Sequence, residues 1–369
     1  MRILQISSAR SIGGAETHLV DLIKGLTNLK HEIFVALRDK TEWRARLSFL
    51  PPENFLYVPL LNSLDIASAW KIARFIRRHE IEIVHAHPGK DYLVASLAVR
   101  FAPQAKLVLT RHILFPLKPL QKFGLSNTAK AIAVSGAVEK NLRKTFSGEK
   151  ILCIPNGIEI EKWSDVNHPR ARETFRFRHN VPFDAFFVGT IGELKSEKGQ
   201  EEFVLAAKIV LEKFPETYFV IVGRDHSSDK SFRLKLKELV KNLGIENRFL
   251  WLDWIDDTAE VLHTLDVFVS ASHAESFGLV ILEAMASACP VVATETEGAK
   301  ELLKNNETGK LVPVKNPSKL AEAIGELLEA ENLRQTFGKN AQARAKERFT
   351  LERMVKETER IYREVLADS

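Results

Sequence analysis

The chain is poor in cysteine and methionine and has no long apolar run. Two cysteines in 369 residues are too few for a disulfide framework or a thiolate-based zinc site. Cys153 and Cys289 lie in apolar stretches and read as small buried hydrophobes. No window reaches about 18 consecutive apolar residues, which excludes a bilayer-spanning helix. The opening MRILQISSAR lacks the apolar stretch of a signal peptide and reads as a strand that begins at once. These absences fit a reducing cytoplasm. There is no low-complexity segment, no repeat with a period of about 20–50 residues, and no G-x-G-x-x-G dinucleotide fingerprint. The aromatic residues are not interleaved with basic ones, so a nucleic-acid partner is not expected.

What is present is ordinary globular usage, 45% hydrophobic and 27% charged, which excludes disordered and collagen-like classes. The length suggests two domains, each able to bury a core. The net charge of +5 is unevenly spread. Residues 1–155 carry 23 Lys and Arg against 12 Asp and Glu, whereas residues 156–369 carry 30 against 36. Two lobes with different partners are implied.

Short apolar runs alternate with amphipathic stretches. Strands are expected at Arg2–Ser7, Glu32–Leu37, Glu82–His87, Lys106–Arg111, Lys130–Ser135 and Ile151–Pro155. Helices are expected at Ala15–Leu26, Ile66–Arg78 and Asp91–Phe101. A charged, irregular stretch, Lys162–Asp184, interrupts the pattern and reads as a linker. The alternation restarts with strands at Ala185–Ile191, Tyr218–Val222, Arg248–Leu252, Val267–Ala271 and Pro290–Thr294. Helices follow at Gln200–Lys213, Asp229–Leu243, Gly278–Ser287 and Pro317–Ala330, and a charged amphipathic helix at Leu351–Leu366 closes the chain. This is the signature of two doubly wound α/β domains in tandem, with ligands beyond the carboxyl ends of the strands and a cleft between the domains.

The segment HAESFGLVILEAMASACPVVAT, residues 273–294, is the richest in chemistry. Glu275 and Glu283 are separated by seven residues, and Ser276-Phe277-Gly278 reads as a turn entering a helix. The amides of Phe277, Gly278 and Leu279 would then point out of a helix N-terminus, an anion site suited to a diphosphate. Gly278 permits close approach of a phosphate to the backbone. Glu283 lies in the apolar run LVILEAMA, where a carboxylate needs a partner. One carboxylate on each side of a diphosphate can hold a sugar hydroxyl and a ribose hydroxyl.

Glu275-x7-Glu283, followed by Ala284-Met285-Ala286 and Pro290-Val291-Val292-Ala293-Thr294, resembles the E-x7-E signature of retaining glycosyltransferases of the GT-B fold, family 4 (group 1). Other segments resemble the family in its order. These are Ser11-Ile12-Gly13-Gly14-Ala15-Glu16, Ile154-Pro155-Asn156-Gly157-Ile158, Gly192-Glu193-Leu194 with Lys198-Gly199, Thr308-Gly309-Lys310-Leu311-Val312, and the terminal Phe349, Ile361 and Tyr362. The resemblance covers essentially the whole chain, most closely over 185–315. It implies two doubly wound Rossmann-like domains facing across a cleft. Residues 1–165 would bind the acceptor and 166–348 the nucleotide-sugar, and a helix at 349–369 would pack back on the first domain.

By resemblance, Glu275 contacts the donor sugar, Glu283 the ribose, and Phe277, Gly278 and Leu279 the diphosphate. Lys198 matches the lysine of the family's phosphate loop, but Glu193 stands where an arginine is usual. A carboxylate there repels a diphosphate, so the phosphates would rest on Lys198 and the helix N-terminus, with help from Arg111 or another cation. Cys289 and Asp253 stand where glycine is common, and Trp254 and Ile255 match the segment lining the nucleobase pocket. His112, at a strand's carboxyl end, matches a donor-sugar-binding histidine. Gly13 and Gly14 sit at a strand-to-helix loop open to a ligand. His85 and His87 share one face of a strand, without a third convergent ligand legible in the sequence. Lys71, Arg74, Arg77 and Arg78 line one helix and suit anionic lipid headgroups.

The expectation is a metal-independent retaining glycosyltransferase, cytoplasmic or peripheral on the inner face of the membrane. It would use a UDP- or GDP-sugar, no other cofactor, and a glycan or lipid-linked acceptor of cell-surface polysaccharide or lipopolysaccharide synthesis. No D-x-D motif lies near the donor residues. Two alternatives on the same fold are a sugar-nucleotide epimerase and a non-catalytic nucleotide-sugar binder.

Overall fold

The computed structural model describes residues 1–117, 124–164, 168–227, 229–255 and 257–368, and the side chains of 168–171 are left aside. Two compact units result. The first comprises Met1–Gly157 and Leu351–Ser369, and the second Ile158–Thr350. The units therefore divide at Gly157 and Ile158. The expected boundary at 165 and 166 lies outside the described residues.

The first unit holds β1 (Arg2–Ser7), β2 (Glu32–Leu37), β3 (Phe55–Tyr57), β4 (Ile83–Ala86), β5 (Lys106–Arg111), β6 (Thr128–Ala133) and β7 (Ile151–Cys153). Every pairing is parallel, in the order β3-β2-β1-β4-β5-β6-β7. The second unit holds β8 (Phe187–Ile191), β9 (Tyr218–Val222), β10 (Phe249–Leu252), β11 (Val267–Ser270), β12 (Val291–Thr294) and β13 (Lys310–Val312). Its sheet is also parallel, ordered β10-β9-β8-β11-β12-β13. Each order runs outward from the first strand and reverses at the fourth, so each unit has a switch point, between β1 and β4 and between β8 and β11. In doubly wound sheets the crevice beyond the carboxyl ends at such a point receives the ligand.

Helices cover the sheets because the strands are apolar on both faces. In the first unit the helix Leu351–Ala367 packs on the helix Gly14–Asn28. Its Met354, Val355, Ile361, Tyr362 and Val365 join Ile3, Leu19, Leu22 and Ile33 in one core. In the second unit Val188, Phe203, Phe219, Val269 and Ile324 centre the core.

The stretch read as an irregular linker contains a helix, His168–Arg178. Arg176 is fully buried there. It pairs with Asp266 at 3.2 Å and donates to the carbonyls of Pro182 and Ala185, each at 2.7 Å. That stretch is therefore part of the second unit. Its helical pattern is hidden by charge, because the pairing that pins it comes from a distant residue. Cys289 is buried, and burial pushes its thiol pKa up. Cys153 is only half-buried, because β7 forms the edge of its sheet.

Candidate active site

In the second unit, β8 leads into the loop 192–199 and β11 into the loop 271–278. Both loops begin at the switch point. Gly199 has φ +69°, and a Cβ there would meet the carbonyl oxygen of Ala271 at 1.9 Å. Only glycine combines that left-handed backbone with that proximity. The two loops are tied again by the His273 amide, which donates to the Glu197 carbonyl at 2.8 Å. Gly223 similarly lies against Gly192, whose oxygen a Cβ would meet at 1.8 Å. These backbone contacts bring Lys198 to Glu275, where Nζ donates to a carboxylate oxygen at 2.7 Å. Ser272 Oγ lies 3.4 Å from the same oxygen.

Glu275 is followed by the turn that opens the helix Leu279–Ala286. Gly278 caps it with φ +95° and ψ +63°. Gly298 abuts the Phe277 backbone, and its amide donates to the Glu275 carbonyl at 2.8 Å, which fixes the turn from behind. Phe277 is buried, its ring edge-on to Phe349 at 5.9 Å. Glu283 faces inward with 9% exposure. Thr258 Oγ1 donates to it at 2.8 Å, and Trp163 Nε1 donates to Thr258 Oγ1 at 3.2 Å. The carboxylate in the apolar run is thus partnered by a hydroxyl that a tryptophan orients.

Glu193 pairs with Lys195 at 2.6 Å, so this departure from the family pattern carries its own cation. Gln200 Nε2 donates to the Glu193 carbonyl at 2.9 Å and steadies the loop. Asp253 accepts the Trp254 amide at 2.9 Å and lies 3.6 and 3.7 Å from the Arg224 and Arg233 guanidinium groups. The Trp254 amide and then the arginines hold its carboxyl below the usual range.

In the first unit the switch point gathers side chains. His87 follows β4, His112 follows β5, and His18 projects from the first helix. His87 Nδ1 and His112 Nε2 lie 3.3 Å apart, and one nitrogen from each of the three rings falls within 4.8 Å of the others. Gln5 Oε1 accepts from His87 Nε2 at 2.8 Å. Gln5 Nε2 lies 3.4 Å from the Tyr362 hydroxyl, which donates to His85 Nδ1 at 2.5 Å, and His85 Nε2 donates to Thr110 Oγ1 at 2.7 Å. His85 is therefore satisfied. His87 meets the third partner that strand alternation alone does not reveal.

Burial holds these rings neutral. His18 is pushed down to about 4, partly opposed by the Asn156 side chain, and His85 to about 3. His87 and His112 lie well below the usual range through burial and then their imidazole neighbours. Asp91, buried beside the Ser8 amide at 2.7 Å, is pushed up to about 6 by burial.

Gly13 is extended, with φ −147°, so no backbone strain demands glycine there. Gly14 starts the first helix and is exposed. Arg111 is buried and donates to the Phe115 carbonyl within its own unit. The second unit thus brings together Lys198, Glu275, Phe277, Gly278 and Leu279, with Glu283 farther along the same helix. The first unit brings His112 to His87 and His18. His18 was not singled out from the sequence, although the GGAETH segment places it one turn after the glycines.

Comparison with known proteins agrees with this geometry. Residues 171–344 match the family described as glycosyl transferases group 1, and residues 12–162 match glycosyltransferase family 4. The N-acetyl-alpha-D-glucosaminyl L-malate synthase of Bacillus anthracis is 27% identical over 97% of this chain and 96% of its own length. The capsular polysaccharide biosynthesis glycosyltransferase CapM of Staphylococcus aureus is 25% identical over 83% of this chain and 82% of its own. The crystal structure of Anabaena Alr3699/HepE in complex with UDP-glucose superposes with a TM-score of 0.84 at 25% identity, covering all of both chains. Two family models in tandem, two parallel sheets that each reverse once, and an E-x7-E pair at the second reversal agree, and the chain belongs to the family 4 (group 1) glycosyltransferases of the GT-B fold.

Proposed function

We propose that this glycosyltransferase binds a nucleotide-diphospho-sugar at the switch point of its second unit. It passes the sugar, with retention at the anomeric carbon, to a glycan or lipid-linked acceptor of the cell envelope. The observation that carries this reading is the Lys198–Glu275 pair at 2.7 Å beside the capped helix Leu279–Ala286. An ammonium and the amides of Phe277, Gly278 and Leu279 converge where charge builds on a leaving diphosphate. Glu275 receives the donor sugar's hydroxyls, and Glu283, steadied by Thr258, receives the ribose. His112 contacts the donor sugar in this reading, and Gly13 and Gly14 leave the first unit's loop open to the ligand. No step requires a metal at the diphosphate.

The Anabaena complex supports UDP as the base-bearing half of the donor, and the capsular relative supports an envelope glycan as product. Retention rests on family resemblance. Thermal-shift measurements with UDP-glucose, GDP-mannose and UDP test the donor, because a ligand that binds the folded state raises Tm by mass action. Glu275→Ala and Lys198→Ala each lower the transfer rate by at least about tenfold, a loss of about 1.4 kcal/mol of transition-state stabilisation. Rates near wild type in both variants defeat this reading.

The basic first unit is proposed to touch anionic lipid. Leu61 (70% exposed), Leu64, Ile66 and Trp70 stand out in solvent beside exposed Lys71, Arg74, Arg77 and Arg78. Arg74 lies over the Trp70 ring at 4.9 Å. Apolar tips flanked by cations suit the interfacial region of an anionic bilayer. The chain co-sediments with phosphatidylglycerol vesicles and not with phosphatidylcholine vesicles, and Trp70→Ala weakens this. Equal sedimentation with both vesicle types defeats it. Among the described residues no helix is long and apolar enough to cross a membrane.

A further inference from the structure

We propose that Trp163 and Phe349 are positioning residues of the donor site, and that a nucleotide bound there orders the two segments by which the chain enters and leaves the second unit. The inference rests on the reading of Glu283 and the Phe277 turn as contacts of the ribose and the diphosphate.

The direction of the hydrogen bonds behind Glu283 is the first argument. An indole N–H only donates, and a threonine hydroxyl has one hydrogen. Trp163 Nε1 donates to Thr258 Oγ1 at 3.2 Å. That hydroxyl hydrogen is thereby aimed at the Glu283 carboxylate, 2.8 Å away, in a charge-assisted bond. Trp163 is buried, and its helix, Glu161–Ser164, packs on Leu279–Ala286. The relay sets the rotation of the carboxylate that meets the ribose. Without the indole N–H the hydroxyl can turn to another acceptor, and Glu283 loses its fixed orientation.

The second argument is the support of the turn. Gly298 abuts the backbone of Phe277, and the Phe349 ring meets the Phe277 ring at 76°, an edge-to-face contact. Phe349 is held in its turn. The Arg344 and Arg348 guanidinium groups lie 5.8 and 5.7 Å from its ring centroid. Arg344 also donates to the carbonyls of Leu302 and Glu301, at the end of the helix Glu297–Leu302 that carries Gly298. Backbone and ring of Phe277 are thus set by one assembly.

The third argument is that the two supports are joined. Ile158 is the first residue of the second unit and Thr350 the last. The Ile158 amide donates to the Phe349 carbonyl at 3.0 Å, and Ile158 bridges Thr350. Trp163 lies in the short helix that follows Ile158, and Phe349 directly precedes Thr350. The contacts close a ring through Phe277, Phe349, Ile158, Trp163, Thr258 and Glu283. A ligand that fixes Glu283 and the Phe277 turn together therefore restrains both segments and lowers their local opening.

The test is calorimetry on the full-length chain with UDP, its 2′- and 3′-deoxy analogues, and UMP. Trp163→Phe keeps the ring and removes the N–H. It lowers the preference for UDP over a deoxy analogue by about threefold to tenfold, the range of one hydrogen bond, and leaves the preference for UDP over UMP. Phe349→Leu lowers the preference for UDP over UMP by about threefold to tenfold, the range of one aromatic pair, and leaves the ribose preference. Each variant is the other's control, because a general loss of packing lowers all the affinities together. In the wild type, saturating UDP slows hydrogen exchange in residues 158–164 and 345–350 as well as in 272–283. Trp163→Phe loses the protection of 158–164 and keeps that of 345–350. If GDP binds and UDP does not, the guanosine series replaces the uridine one. Nucleotide that binds and protects 272–283 alone, or wild-type preferences in both variants, overturns the proposal and leaves the donor-site reading standing. A wild-type chain that binds neither UDP nor GDP defeats both.

Discussion

At its switch point the second unit presents backbone and the ion pairs Lys198–Glu275 and Lys195–Glu193, while the first presents buried side chains. Gly199 against Ala271, Gly223 against Gly192 and Gly298 against Phe277 are contacts that any Cβ would break. They leave little to rotamers, so Lys198 and Glu275 meet because two loops have one way to lie together. In the first unit Gln5, His85, His87, His112 and Tyr362 come from separate elements and hydrogen bonds set their geometry, while His18 joins them through ring contacts with His87 and His112. One strand order therefore supports two kinds of preorganisation. A backbone-built anion site is rigid and sensitive to added bulk, whereas a side-chain network is sensitive to loss of a single polar atom.

Substitution can break this comparison, and the largest effect belongs to the backbone side. Gly199→Ala strains a left-handed residue and drives its Cβ into the Ala271 carbonyl. It destabilises the second unit by about 3 kcal/mol or more. Hydrogen exchange quickens in β8 and β11 and not in β1 and β4. Equal protection in all four strands would show that the loops are not locked together.

The next effect tests burial in the first unit. Asp91 has a folded pKa of about 6 against an ordinary value of 3.8, so the folded state holds its proton more tightly than the unfolded one. Its contribution is fully present below about pH 4 and is lost as pH rises through about 6, a change of about 3 kcal/mol. Asp91→Asn removes that slope and raises stability near neutrality, as denaturant unfolding at a series of pH values measures. An unchanged profile removes burial of Asp91 as the cause.

The smallest effect is Tyr362→Phe, which deletes the hydroxyl shared by His85 and Gln5. It costs about 1–2 kcal/mol. Exchange in β1 and β4 reports it, with β8 and β11 unmoved.

The same contrast explains what the sequence discloses. Glu275, Glu283, Gly278, Lys198 and Gly199 lie in short local patterns whose chemistry depends on spacing, and they are legible. The first and second strands of each unit are legible because they are nearly continuous apolar runs. His18 is not, since one ring on a helix acquires meaning only beside His87 and His112. The helix Glu331–Arg348 escaped because it is polar nearly all round, with Phe337, Ala341 and Ala345 its few buried anchors. The edge strands β3 and β13 are three residues long, too short for alternation to show. The helix His168–Arg178 has a proline, Pro169, as its second residue in a charged stretch, and its burial rests on Arg176 and the distant Asp266.

The helix Leu351–Ala367 has a consequence for how the molecule is made. A ribosome delivers Met1–Gly157 first, yet that unit's core includes Ile361, Tyr362 and Val365. All of Ile158–Thr350 must emerge before those residues exist. The earliest-made sheet therefore waits, with the side of its first helix that meets Val355 uncovered, until the last stretch of chain arrives. The second unit is contiguous and can complete its core sooner. Synthesis order and completion order are reversed, and the first-made half is the one that most needs shielding during translation.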